Sequence, residues 1–232
     1  MTVTPEQRTY ARLAGSMFLA NYVLQFAGDG VTIVARTGAP FAETARFAAD
    51  HELLWRVSLA EVGLAWIATG ILAFALYVVL EPVDKRLAQL AFVLRLGASL
   101  VGSASMMFRA AQARFYEASA TAGVFTAEQL HTLSSTMQRG ANGGVTSAWI
   151  LQGAGAMFFF VLFRHSGYVP RALAGFGAVT TAVLVPLALA AFLFPQGTNV
   201  LKLFGVPGLV AEVWTAVLLL RGLELRAVST PR

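Results

Sequence analysis

The sequence predicts an all-α, polytopic membrane protein, a bundle of six transmembrane helices, and three observations carry this prediction. Of the 232 residues, 57% are hydrophobic and only 12% are charged, whereas soluble domains carry about 25% charged residues. The mean hydropathy is +0.66. The apolar residues form long unbroken stretches, unlike the alternating segments of ~10 residues that build spanning strands. We expect a single integral membrane domain over residues 1–232.

The predicted spans each come close to the ~20 helical residues that cross a ~30 Å hydrocarbon core. They cover residues 13–34, 57–80, 87–108, 145–163, 172–194 and 206–220. The last span is short, and it fits when Arg221 extends its side chain toward the membrane surface. The first follows basic residues, as a signal peptide does, but Asn21 and Gln25 interrupt it and no small-residue cleavage site follows. We therefore expect a retained helix.

Short basic turns set the predicted orientation. Glu81–Arg86 and Arg164–Arg171 each place a proline before a basic residue, and both lie on the side of the two termini. Positive charge in short loops close to helix ends marks the cytoplasmic side. The sequence therefore predicts cytoplasmic N- and C-termini in the inner membrane of a bacterium. The likeness of the two turns has two explanations, an internal duplication of helical hairpins and the general use of proline in turns.

The longer connections on the outer side are expected to contain two short amphipathic helices. Residues 37–55 place apolar residues at helical spacing, which is typical of a helix on a membrane surface or over a bundle. Thr126–Gln129 resembles a capping box, and Gly140 resembles a helix stop. These helices are either interfacial connectors or a cap on the bundle.

Six polar residues in or next to the spans are the candidate ligand- or ion-binding residues. They are Asp29, Glu61, Arg109, Gln112, Gln152 and Glu212. A carboxylate in hydrocarbon is costly and is rarely kept without a partner or a function. Counted at 1.5 Å per residue, all six fall in the outer half, and only Arg95 falls in the inner half, with no evident carboxylate partner. Two interpretations stay open, an outward-facing polar cavity and a set of carboxylates neutralised by Arg56, Arg109 or helix dipoles.

Several kinds of chemistry are not expected. The chain has no cysteine, which excludes disulfides and thiolate sites. His51, His131 and His165 fall in loops or at helix ends, whereas haem between helices needs a histidine inside a span. No catalytic motif, metal site or cofactor is predicted. The net charge of +5 is spread singly over segment ends, so we expect no nucleic-acid partner. Small residues such as Gly97, Gly102, Gly153 and Gly155 are expected to pack helices closely.

Five segments resemble the bacterial domain-of-unknown-function family 4386. They are Arg12–Gly15, Ala75–Val83, Leu94–Leu96, Leu162–Arg171 and Pro207–Gly222, and the most specific piece is the Ser-Gly-Tyr-Val-Pro-Arg turn. The resemblance covers nearly the whole chain. It implies a six-helix integral membrane domain and brings no accepted activity, substrate or catalytic residue.

The sequence favours a non-enzymatic membrane module that binds a small molecule, a lipid or a protein partner through its outer half. A first alternative is a small proton- or cation-coupled carrier that uses Glu61 and Glu212, and six helices would then require a dimer. A second alternative is an accessory subunit of a larger membrane complex. An enzyme is least favoured. The expected partners are the lipid bilayer, a small-molecule or lipid ligand, and either further copies of this chain or the other subunits of a larger membrane complex.

Overall fold

The computed structural model describes residues 3–36, 41–120, 125–194 and 198–223, with side chains described for residues 3–31, 41–116, 125–194 and 205–223. Every regular element in these ranges is an α-helix, which confirms the predicted all-α class. The predicted cytoplasmic C-terminal residues 224–232, and residues 37–40 of the first outer helix, lie outside the described residues.

The described ranges contain six long helices and one short one. They are α1 (Pro5–Arg36), α2 (Phe41–Asp50), α3 (Glu52–Leu80), α4 (Lys85–Ala120), α5 (Ala127–Ser166), α6 (Arg171–Leu193) and α7 (Thr198–Arg221). Four helices are long and apolar enough to cross a membrane, namely α3, the Lys85–Tyr116 part of α4, α5 and α6. The length and composition of these four helices identify the chain as a membrane protein. The first and last predicted spans lie within α1 and α7, which both begin eight residues earlier than predicted, and their crossing of the membrane stays a prediction.

The six long helices form a closed ring in chain order. α1 packs on α3, α3 on α4, α4 on α5, α5 on α6, α6 on α7, and α7 returns to α1. The short α2 lies mainly against α4. This arrangement turns one face of each long helix toward a common interior, where polar side chains from distant parts of the sequence can meet.

Glycines set the spacing between several of these helices. A Cβ atom on Gly15 of α1 would lie 2.7 Å from the Ala216 carbonyl oxygen of α7. A Cβ atom on Gly155 of α5 would lie 3.0 Å from the Ala91 carbonyl oxygen of α4. Helices in lipid associate through such close contact, because the hydrophobic effect provides little drive between them. The predicted packing role of Gly155 is confirmed.

One end of the bundle is held by the turn between α5 and α6. Gly167 ends α5 with a φ of 71°, a left-handed conformation that glycine adopts without steric cost. The next residue, Tyr168, is buried. The Gln7 amide donates to the Tyr168 hydroxyl at 3.3 Å and to the Val79 carbonyl oxygen at 3.1 Å. The start of α1, the end of α3 and this turn therefore meet at one end.

The second short outer helix was predicted with the correct start and the wrong end. The Gln129 N–H donates to Thr126 Oγ1 at 3.2 Å and the Thr126 N–H donates to Gln129 Oε1 at 2.8 Å, which confirms the capping box. The helix then continues through Gly140 to Ser166. A Cβ atom on Gly140 would lie 3.0 Å from the Phe108 ring of α4, so this glycine allows close packing and does not stop the helix.

Candidate functional site

A buried ion pair joins α4 and α7. Arg95 Nη1 donates to Glu212 Oε1 at 2.9 Å, and the two side chains are 3% and 5% exposed. The Tyr22 hydroxyl of α1 donates to the other carboxylate oxygen, Oε2. The Arg95 guanidinium also lies 5.4 Å from the centroid of the Phe18 ring, within the range of a cation–π interaction. We call Arg95, Glu212 and Tyr22 the central triad.

The central triad lies well inside its helices, away from their ends. Arg95 comes ten residues after the first residue of α4, and Glu212 comes nine residues before the last residue of α7, or about 15 and 14 Å at 1.5 Å per residue. Glu212 was placed in the outer half because the last span was expected to begin near residue 206, whereas α7 begins at Thr198, fourteen residues before Glu212. The expectation that Arg95 lacks a carboxylate partner was wrong for the same reason.

Other polar side chains surround the central triad and bond to neighbouring helices. The Asn21 amide of α1 donates to the Ala65 carbonyl oxygen at 2.8 Å and to the Thr69 hydroxyl. The Ser99 hydroxyl, one turn from Arg95, donates to the Trp66 carbonyl oxygen at 2.6 Å. The bundle interior therefore has a polar layer at the level of the triad.

A second polar group lies farther along α4. Arg109 Nη1 donates to Asp29 Oδ1 at 3.0 Å, with the side chains 11% and 27% exposed. Arg109 is fourteen residues beyond Arg95, about 21 Å along the helix. Glu61 lies close by, since a Cβ atom on Gly28, the residue before Asp29, would lie 3.2 Å from Glu61 Cβ.

Gln112 occupies the next turn of α4 and faces α5. Its side-chain amide donates to the Tyr116 hydroxyl at 2.9 Å and to the Ser134 hydroxyl at 3.2 Å, and the residue is 3% exposed. We call Asp29, Glu61, Arg109 and Gln112 the outer cluster, after the side of the membrane on which the sequence predicts them. It holds two carboxylates and one guanidinium, whereas the central triad holds one of each and is formally neutral.

The side chain of Glu61 differs from the other three in the outer cluster. It is half-buried, and no hydrogen bond or ion pair joins it to another residue in the part of the chain that the structure describes. Arg56 pairs with Glu52 at 2.5 Å, and Arg109 pairs with Asp29. Neither Arg56 nor Arg109, which one of the two interpretations offered as neutralising partners, pairs with Glu61.

The six predicted site residues thus fall into three places. Asp29, Arg109, Gln112 and Glu61 lie in the outer cluster, and Glu212 lies in the central triad. Gln152 is half-buried on α5, next to Gly153, whose Cβ position lies 3.0 Å from a carbonyl oxygen of α6. No hydrogen bond of the Gln152 side chain to another described residue is present. Within the described ranges, no three His, Asp or Glu side chains are grouped to hold a metal ion.

A comparison with known protein families assigns this chain to one of them. A family model described as Domain of unknown function (DUF4386) matches residues 13–222. The chain belongs to this family. No curated protein and no solved structure matches the chain. The DUF4386 match includes the central triad and the outer cluster, so both polar groups lie inside the family's domain.

Sequence reasoning missed the partners of Glu212 in this DUF4386 chain. Tyr22 was not considered, and Arg95 was assigned to the other half of the membrane. A usable signal was present, because Arg95 and Glu212 are almost equally far from the basic ends Lys85 and Arg221. Counting each helix from its basic end, rather than from its uncertain outer end, would have placed the two charges at one level.

Proposed function

We propose that this protein is a six-span, multi-pass protein of the bacterial inner membrane, with both termini in the cytoplasm, that binds a small cationic ligand at the outer cluster. It acts as a binding module without catalytic activity of its own. The observation that carries this proposal is the half-buried Glu61 carboxylate, which has no protein partner among the described residues.

The charge of the outer cluster supports a cationic ligand. One guanidinium, Arg109, stands against two carboxylates, Asp29 and Glu61, and its hydrogen bond goes to Asp29. A carboxylate in a helix that crosses a membrane is costly unless a cation or a donor group compensates it. A protonated amine supplies both the positive charge and N–H donors, and the neighbouring Arg109–Asp29 pair holds the helices α1 and α4 around it.

The carrier alternative has less support than the binding module. A carrier that uses Glu61 and Glu212 requires both carboxylates on one pathway, and Glu212 already accepts hydrogen bonds from Arg95 and Tyr22. The two carboxylates also lie at different levels of the bundle. Glu61 lies beside Gly28 and Glu212 bonds Tyr22, and these two residues of α1 are six positions apart, or about 9 Å.

A thermal-shift assay on the purified protein tests the proposal. Primary amines and quaternary ammonium ions are compared with uncharged compounds of the same shape. A ligand at 100 times its Kd stabilises the folded protein by about 2.7 kcal/mol, so a specific amine raises the Tm. We expect this rise to be lost in Glu61→Gln, which keeps the side-chain shape and removes the negative charge.

Glu43→Gln is the matched control, because Glu43 is an exposed carboxylate on α2. We expect this variant to keep the full thermal shift. A shift that survives in Glu61→Gln places the ligand away from the outer cluster. If uncharged compounds stabilise the protein as well as the amines do, the proposed ligand class is wrong.

A further inference from the structure

A buried donor of Arg95 remains without a partner. The residue is 2% exposed, and only one of its nitrogens, Nη1, bonds Glu212. Its Nε atom is buried and has no hydrogen-bond acceptor among the described residues. A buried N–H group without an acceptor is costly, most of all where hydrocarbon surrounds the protein.

The hydroxyl oxygen of Thr215 on α7 is a second buried polar atom without a partner among the described residues. The residue is 0% exposed. Thr215 follows Glu212 by three residues on α7, so that both side chains lie on one face of the helix. Other buried threonines behave differently. Thr69 and Thr181 donate to carbonyl oxygens four residues earlier, at 3.1 and 2.7 Å.

We propose that ordered water occupies the junction of α1, α4 and α7 beside the central triad, where it bonds the Arg95 Nε–H and the Thr215 hydroxyl. The Nε–H needs an acceptor, and the hydroxyl can accept or donate. Water meets both needs, and buried waters typically make about three hydrogen bonds to polar groups that lack protein partners. The triad is formally neutral, so it favours water over a charged ion. This site is independent of the ligand at the outer cluster.

Hydroxyl-radical footprinting of the full protein in nanodiscs tests this site, because radiolysis of a bound water oxidises the side chains beside it. Phe18, over the Arg95 guanidinium, is 2% exposed, and Phe163, in the apolar core, is 1% exposed. The two residues therefore share side-chain type and burial. We expect Phe18 to be oxidised several-fold faster than Phe163. Equal rates overturn the proposal.

Thr215→Val supplies a second test, since it removes the hydroxyl and keeps the shape. We expect the oxidation of Phe18 to fall toward the rate of Phe163, without a gain in Tm. If the junction is dry, the same variant removes an unsatisfied buried hydroxyl and raises the Tm, and this result overturns the proposal. Unchanged oxidation of Phe18 also overturns it. Thr181→Val, which loses a hydroxyl bonded to its own helix, is the control and leaves the Phe18 rate unchanged.

Discussion

Each oxygen of the Glu212 carboxylate has a donor from a different helix, Arg95 from α4 and Tyr22 from α1. This residue shows how a chain can keep a charge in an apolar environment. A buried ion pair gains little over a well-packed apolar pair, but the loss of one partner leaves an uncompensated charge. The triad therefore constrains which helix arrangement is stable.

Arg95→Met and Glu212→Gln test this constraint. We expect Arg95→Met to lower the free energy of unfolding by about 3–5 kcal/mol, because it leaves the Glu212 carboxylate buried and unpaired. Glu212→Gln also destabilises the fold, and the double variant is less destabilised than the sum of the single variants. Denaturant unfolding in one detergent measures all three. Additive effects would contradict the direct interaction.

Lys85→Met is the control for this experiment. Lys85 pairs with Glu81 at 2.8 Å in an exposed turn, where the bonded Lys85 ammonium holds the pKa of Glu81 below its ordinary value. Exposed pairs contribute little to stability, because water screens them. We expect no measurable change in unfolding for Lys85→Met.

At the scale of helices, close contacts through glycine decide which faces meet. Gly15 allows α1 to approach the backbone of α7 at Ala216, and Gly28 allows it to approach the backbone of α3, with a Cβ position 2.6 Å from the Ser58 carbonyl oxygen. These contacts bring Tyr22 to Glu212 and Asp29 to the neighbourhood of Glu61. The polar contacts of α1 therefore depend on its glycines.

Gly15→Ala tests the contact between α1 and α7. The added methyl group meets backbone atoms that cannot turn away, and we expect a loss of about 1–3 kcal/mol, as for overpacked cores. Gly63→Ala is the control, because no atom lies within 4 Å of the new Cβ position and alanine favours the helix. A Tm for Gly15→Ala equal to that of Gly63→Ala would contradict the close contact.

Thr126→Ala tests the N-terminal cap of α5. Loss of a capping side chain costs about 1 kcal/mol, so we expect faster amide hydrogen exchange at residues 127–130. Thr136→Ala is the control, because Thr136 is exposed on the same helix and bonds only the Thr132 carbonyl oxygen. Equal exchange at these amides in both variants would show that the cap does not stabilise the helix start.

At the scale of the molecule, the absence of cysteine allows a direct test of the predicted topology. Thr132→Cys lies near the start of α5, and His165→Cys lies near its end, both at exposed positions. We expect a membrane-impermeant maleimide to label Thr132→Cys in intact cells and His165→Cys only after permeabilisation. Wild type gives the background. The reverse labelling pattern would show the opposite orientation. Labelling of both variants in intact cells would contradict the crossing of the membrane by α5.

The two polar groups show how far the sequence alone could lead. Asp29 and Arg109 were both placed near the outer ends of their predicted spans, and the structure pairs them, although α1 and α4 continue to Arg36 and Ala120. Glu212 was assigned to the same group because the start of α7 was placed eight residues late. Gly140 was interpreted as a helix stop because a glycine at a helix end and a glycine at a helix contact look the same in sequence.

The sequence by itself determined the all-helical membrane class, because the lengths and composition of apolar stretches do not depend on which helices touch. The tertiary structure alone decided that Glu212 meets Arg95 and Tyr22, and that Glu61 lies next to Gly28, the residue before Asp29, with no partner in the described part of the chain. These pairings depend on where each helix begins and on how closely glycines such as Gly15 and Gly28 let helices approach. A shift of one turn, about 5 Å, would give each charge another neighbour.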